Sequence, residues 1–361
     1  ANNLAPNTSY QLNIPATAIG QNGELLDKAV AINFTTVSGG IITEMAPCIS
    51  ATAACLETAV LSNGAGATFN FDFFSSYPIY EDNARWEKLE NVVIVMHGQN
   101  RDADQYFIDL MTTLRNENLE ENTILIAPFF KSTADAKPGD LYWTDSGWRE
   151  GQNPDTPSAG ISSFEVVDRI LARLADKNYF PVLKNVVLTG HSSGALFTQV
   201  YAAANTSENL YPGLKFNYIV ANSQYFYYPD DARFVESTGQ FAPPTGCASF
   251  NHWPLGFVNP PDYLAGTPEA TVDQQIVQRK VTYLLGTADT ITTGTLNTSD
   301  CGAVLLGANR FKRGEHMFSL LETNYATTQK SQKLTVPGVG HDAQGMYQSS
   351  VFRGLLLGLL Q

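Results

Sequence analysis

Val186-Val187-Leu188-Thr189-Gly190-His191-Ser192-Ser193-Gly194-Ala195-Leu196-Phe197 is the stretch that decides how the rest of the chain is read. An apolar run ends in the pattern G-x-S-x-G and apolar residues resume at once, so the serine belongs on a sharp strand-to-helix turn. Glycines two residues to either side let the backbone close without Cβ clashes, which leaves Ser192 Oγ clear of the sheet. A helix beginning near Ser193 aims its free N–H groups and the positive end of its dipole at the same place. That geometry suits acyl transfer.

A serine nucleophile needs a base within hydrogen-bond reach, and the base needs an acid to fix its tautomer. Both are found downstream. Asp289 follows the apolar run Tyr283-Leu284-Leu285 and Gly286-Thr287-Ala288, and His341 follows Val336-Pro337-Gly338-Val339-Gly340. Each lies just past a strand-like segment, and the order serine, aspartate, histidine is one in which such triads occur. The other histidines have other expected places: His191 inside the turn and pointing away from the serine hydroxyl, His316 in a helix as a surface or packing residue, His252 in an irregular segment. Asp300 is expected to cap a helix, and Asp342 is too close to His341 in sequence to approach its Nδ1 well. Two donors are then needed for the oxyanion: the Ser193 N–H, and the Gln99 N–H in the turn Met96-His97-Gly98-Gln99-Asn100, with His97 holding that loop by its side chain.

Around the serine turn, strand-like and helix-like segments alternate from about Ala67, which predicts an α/β fold with a mostly parallel central sheet flanked by helices. Strands are expected at 68–74, 92–96, 124–127, 218–221, 281–285 and 334–336, besides the one leading to Ser192. Val92-Val93-Ile94-Val95-Met96 reads as fully buried. Helices are expected near 103–115, 164–174, 304–321 and 343–357. Residues 225–275 read as an irregular cap or pocket rim, rich in Tyr, Phe and Pro.

Residues 1–40 are different: alternation in Tyr10-Gln11-Leu12-Asn13-Ile14 and Val30-Ala31-Ile32-Asn33-Phe34, around a turn at Gln21-Asn22-Gly23, predicts a small β segment. With Leu4-Ala5-Pro6 and Phe34-Thr35-Thr36 it resembles the closing strands of a bacterial Ig-like module. It is too short for a whole sandwich. Either an upstream portion is missing or the strands dock onto the main domain, taken as residues 41–361.

The formal charge of −13 over 361 residues disfavours nucleic acid and anionic lipid surfaces as partners. No apolar run is long enough to span a membrane, and no signal peptide is evident in a chain that opens at Ala1 without methionine, as a processed or a trimmed form would. Cys48, Cys55, Cys247 and Cys301 include no C-x-x-C pair and stand near no histidine cluster, so no metal is expected. In an exported protein Cys48 would pair with Cys55 and Cys247 with Cys301, closing a loop whose restriction amounts to about 4 kcal/mol; the alternative is four free thiols in a cytosolic enzyme. Asn7, Asn33, Asn205 and Asn297 stand in glycosylation sequons, a pattern too common to fix the source.

The elbow, Gly286-Thr287-Ala288-Asp289 and Gly340-His341 resemble the α/β-hydrolase superfamily over roughly residues 67–360, and His97-Gly98-Gln99 is similar to the loop of secreted esterases and polyhydroxyalkanoate-depolymerase-like enzymes. A different residue often follows the glycine there, so Gln99 is assigned through its backbone alone. The resemblance implies a secreted, cell-surface or periplasmic serine ester hydrolase that acts through an acyl-enzyme without metal or organic cofactor. Lipid, polyester and plant-wall aromatic esters are the candidate substrates, polymers included, and a monomer is expected. Trp143, Trp148 and Arg149 lie on a loop after a strand and so near the site; Trp143, Trp148, Tyr225 and Trp253 are the candidate substrate-binding rings, together with Phe226 and Tyr227. A serine peptidase on the same fold, and a non-catalytic binding module that retains it, are the competing readings.

Overall fold

A computed structural model describes residues 8–19, 25–35 and 41–361. Its strands are β1 (Ser9–Ile14), β2 (Val30–Thr35), β3 (Leu56–Ser62), β4 (Thr68–Ser75), β5 (Asn91–Met96), β6 (Thr123–Pro128), β7 (Asn185–His191), β8 (Lys215–Ala221), β9 (Arg233–Val235), β10 (Gln240–Ala242), β11 (Val281–Gly286) and β12 (Gln332–Val336). The helices are α1 (Ala103–Asn116), α2 (Ser163–Ala175), α3 (Ser193–Ala204), α4 (Ser207–Leu210), α5 (Glu269–Gln278), α6 (Cys301–Val304), α7 (Arg310–Asn324), α8 (Ala343–Tyr347) and α9 (Ser350–Leu360).

Eight strands form one sheet in the order β12-β11-β8-β7-β5-β6-β4-β3. The strands from β12 through β6 pair in parallel, and β4 and β3 continue the sheet antiparallel at one edge. Every residue of β5, β6 and β7 is buried, as parallel strands covered on both faces require. Alternate residues of β5 face opposite layers. Val92 and Ile94 pack with Val166 and Ile170 of α2 and Leu196 and Val200 of α3; Val93 and Val95 pack with Phe107 and Leu110 of α1 and Phe352 and Leu356 of α9. Because these strands run parallel, the loops after β5, β7, β11 and β12 lie at one end of the sheet, the carboxyl end where ligands bind in open α/β sheets.

Three expectations change in detail. The helix expected over 304–321 begins only at Arg310, where the Asn309 side chain accepts the Lys312 N–H; Val304 instead ends the short α6, and Gly307 at φ 138° lies in the turn between the two. The helix expected over 343–357 is broken in the same way at Ser349, whose side chain accepts the Phe352 N–H. The segment 225–275 is less irregular than its composition suggests: it holds the β9–β10 hairpin, and its last residues enter α5, whose Val272 and Ile276 are buried.

β1 and β2 form a separate antiparallel pair, with Tyr10 opposite Phe34 and their rings stacked at 5.8 Å. All residues of β2 are exposed. The expected turn at Gln21-Asn22-Gly23 and the Leu4-Ala5-Pro6 segment lie outside the described residues.

Both disulfides are present, Cys48–Cys55 and Cys247–Cys301, and the second ties the 225–275 segment to the start of α6. Such bonds form in oxidising compartments. Among the described residues no helix is long and apolar enough to cross a membrane.

Candidate active site

Ser192 lies between β7 and α3 with φ 59° and ψ −117°, a backbone conformation costly for a residue with a side chain and common at functional sites. The flanking glycines are obligatory. A Cβ on Gly190 would overlap the Gly194 carbonyl, and a Cβ on Gly194 would overlap the Met96 carbonyl and stand 2.6 Å from the His97 oxygen. The elbow is therefore pressed against the end of β5, and that contact brings the turn after β5 beside the serine.

The loops after β11 and β12 meet at the same point. Ser192 Oγ lies 2.9 Å from His341 Nε2, and His341 Nδ1 lies 2.8 Å from Asp289 Oδ2. Asp289 is completely buried, while His341 keeps part of its ring in solvent. Asn222, just past β8, ties the two loops together: its side chain accepts the Gly286 N–H at 2.7 Å and donates to the Gly340 carbonyl at 2.9 Å. The Arg310 guanidinium stands 3.9 Å from the other carboxylate oxygen of Asp289. Asp300 caps α6 by accepting the Gly302 N–H, as expected of it.

His191 is buried, with its ring 4.5 Å from the His341 ring and its Nδ1 3.3 Å from the Tyr106 hydroxyl. Burial first, then the charges of His341 and Arg310, push its pKa well below the ordinary value. His191 is thus neutral. His316 packs against the Phe234 ring at 4.3 Å and has no part in the site.

Gln99 and Ser193 line the same cleft of about 770 Å³ as Ser192, His191 and His341. Neither backbone N–H has an acceptor among the described residues. The wall is polar: Gln105, Asp109, Arg149, Gln224, Thr295, Arg310 and Asp342 contribute to it. Among the described residues no three His, Cys, Asp or Glu side chains converge as a metal site would require.

The aromatic candidates are placed differently from expectation. Trp143 and Trp148 are buried in the core and line neither wall of the cleft. Trp143 packs on Phe130 and donates its indole N–H to the Gln152 carbonyl; Trp148 stacks on Phe130 at 5.4 Å and lies tilted against His97 at 4.3 Å. The loop after β6 folds these rings inward because they offer the largest apolar area in it. Phe226 and Tyr227 are likewise buried. Tyr225 and Trp253 are together, but in an adjoining cavity of about 330 Å³. Arg149 lines both cavities and lies over the Tyr225 ring. Arg149, expected near the site from its loop, does reach the cleft, whereas no local motif marks Asn222, Tyr106 or Arg310, since each meets its partners across a long sequence separation.

His97 donates from Nδ1 to the Gly98 carbonyl at 2.8 Å and accepts the Phe130 N–H at Nε2, so it braces the turn in its neutral form. Burial drops its pKa from 6.5 to about 4. The unfolded chain takes up this proton at a higher pH than the folded one, so the contribution to stability is full above about pH 6.5 and is lost toward pH 4, a difference of about 3 kcal/mol. Glu57 on β3 opposes it: burial raises its pKa from 4.5 to about 7, so the folded state binds the extra proton and stability falls as pH rises through that interval. Glu57→Gln is therefore expected to be more stable relative to the parent at pH 8 than at pH 5. Urea unfolding at both pH values measures this; a difference independent of pH contradicts it.

No protein-family model matches the sequence, and no curated protein matches it. Among solved structures, the chain is similar to the LpqC poly(3-hydroxybutyrate) depolymerase from Bordetella parapertussis, with a TM-score of 0.58 at 19% identity over 84% of this chain and 90% of that one. It is also similar to poly(aspartic acid) hydrolase-1 from Sphingomonas sp. KT-1, with a TM-score of 0.56 at 18% identity over 81% of this chain and 96% of that one. At these identities the likeness is one of fold. The mostly parallel sheet, the serine elbow after β7 and these neighbours agree: the chain has the α/β-hydrolase fold.

Proposed function

We propose that the chain is a serine hydrolase of carboxylic esters. The observation that carries this reading is the unbroken hydrogen-bond chain from Ser192 through His341 to buried Asp289 at an open cleft. Ser192 Oγ attacks the ester carbonyl while His341 Nε2 takes its proton, and Asp289 holds the imidazole tautomer and stabilises the imidazolium. The backbone N–H groups of Gln99 and Ser193 receive the oxyanion. His341 then passes the proton to the departing alcohol, leaving an acyl-enzyme on Ser192. Water, deprotonated by His341, releases the acid and restores the serine.

The polar cleft favours short or hydroxylated acyl groups over long lipid chains. The two structural neighbours are a poly(3-hydroxybutyrate) depolymerase and a poly(aspartic acid) hydrolase, so polymeric substrates are the first to try. The two disulfides favour action outside the cytosol. The substrate class is tested by assaying p-nitrophenyl butyrate, p-nitrophenyl palmitate and an aminoacyl p-nitroanilide side by side. Butyrate is expected to be cleaved fastest and the anilide least; cleavage of the anilide alone would make the chain a peptidase.

A further inference from the structure

Arg149 lines the cleft, and the reaction as proposed leaves it without a role. Its Nη1 donates to Gln99 Oε1 at 3.2 Å and to Ser193 Oγ at 3.1 Å, and Ser193 Oγ donates to the same Gln99 oxygen at 2.9 Å. The three side chains close a ring. Two of them belong to the residues whose backbone N–H groups are assigned to the oxyanion, and those residues come from different elements, the turn after β5 and the start of α3.

The arginine is itself braced. It belongs to a single 3-10 turn, Ser146–Glu150, whose N-cap Asp145 accepts the Gly147 N–H at 2.7 Å. Trp148, the neighbouring residue, anchors that turn in the core against His97, which holds the Gln99 turn from below. Arg101 links the same two loops by donating to the carbonyls of Asp145, Phe130 and Lys131. On its far side the Arg149 guanidinium donates through Nε to Glu150 at 3.2 Å and lies 5.2 Å from the Tyr225 ring centroid. Gln99 is exposed at the tip of its turn and its N–H has no acceptor among the described residues, so this ring adds, at the side-chain end, to the bracing that His97 and Arg101 give the turn.

Resting on the ester-hydrolase reading, we propose that Arg149 is a positioning residue that locks the two oxyanion donors in register. A planar guanidinium can hold Gln99, Ser193 and Glu150 at once while lying over a ring; a lysine ammonium is a point charge that lacks this fork. Glu150 offsets the charge of Arg149, so its contribution is chiefly geometric.

The test uses the full chain with Arg149→Met, Arg149→Lys and Gln99→Ala on two esters, neutral p-nitrophenyl butyrate and the carboxylated mono-p-nitrophenyl succinate. Misplaced donors are expected to lower kcat on both esters by about 10–100-fold in Arg149→Met, and by less in Arg149→Lys. KM should stay within about threefold, since the ground-state ester barely uses these donors. Fluorophosphonate labelling of Ser192 should slow by a similar factor yet reach completion. Arg149→Met combined with Gln99→Ala should cost less than the product of the two single effects, because both break one network. Unchanged kcat overturns the proposal, and so does a rise in KM confined to the succinate ester, which would make Arg149 a clamp for a substrate anion. If Arg149→Met does not fold, Arg149→Lys and Ser193→Ala are read by the same criteria. A parent protein that neither cleaves the esters nor labels at Ser192 defeats the ester-hydrolase reading itself; an active parent with an undiminished Arg149→Met defeats this inference alone.

Discussion

Ser192→Ala is expected to lower kcat for p-nitrophenyl butyrate by about 10⁶-fold with KM little changed, because the nucleophile acts in the transition state and contributes little to ground-state binding. His341→Ala should be about as damaging, and the double variant scarcely worse than either single one, since members of a triad fail together. Asp289→Asn is expected to cost about 10⁴-fold, because an amide cannot hold the imidazole in the required tautomer. Asp289 is completely buried with Arg310 nearby, so its removal also leaves a buried cation less well balanced. Its variants therefore need a folding check by circular dichroism that Ser192→Ala does not. Steady-state kinetics on the purified variants reads all of these effects. Activity in Ser192→Ala within tenfold of the parent would remove the serine from the mechanism.

Gly194→Ala is expected to be highly destructive for a single added methyl. The added carbon would overlap the Met96 carbonyl and lie 2.6 Å from the His97 oxygen, both backbone atoms that no rotamer change can move. Separating α3 from the end of β5 would displace the serine and the Gln99 turn together. The expected cost is about 3–5 kcal/mol, of the order of a domain's whole stability margin, so the variant should be largely insoluble or unfold at a far lower denaturant concentration. Gly354→Ala in α9 is the control: a Cβ there meets no atom within 4 Å, and the change should stabilise by about 0.5–1 kcal/mol through helix propensity. Chemical denaturation of both variants distinguishes a steric account from a general intolerance of glycine replacement.

The contrast between these two glycines also explains which parts of the molecule could be read from sequence. The elbow has a local signature, because a strand, a strained turn and a helix follow one another within a dozen residues. Asp289 and His341 were accessible for a related reason: each stands just past an apolar strand, so strand ends alone brought them to the end of the sheet where Ser192 lies. The direction in which a loop sends its side chains has no such signature. Trp143 and Trp148 follow a strand as a pocket residue would, yet the core takes their rings, whereas the charged Arg149 between Trp148 and Glu150 stays at the cleft. β3 escapes a search for buried runs because an edge strand alternates exposed and buried residues. The breaks at Asn309 and Ser349 are visible only once a side chain is seen accepting a backbone N–H. Asn222 and Arg310 gain meaning only from distant partners, Gly340 and Asp289 among them, and no periodicity encodes those contacts.

The claim on which everything else depends is that Ser192, activated by His341, carries the acyl group. The most direct measurement is intact-protein mass spectrometry with peptide mapping after treatment with a fluorophosphonate, on the parent and on His341→Ala. The account predicts one stoichiometric adduct located on Ser192 in the parent, and labelling slowed to near background in His341→Ala. An adduct on another residue, or labelling equally fast without His341, would contradict it.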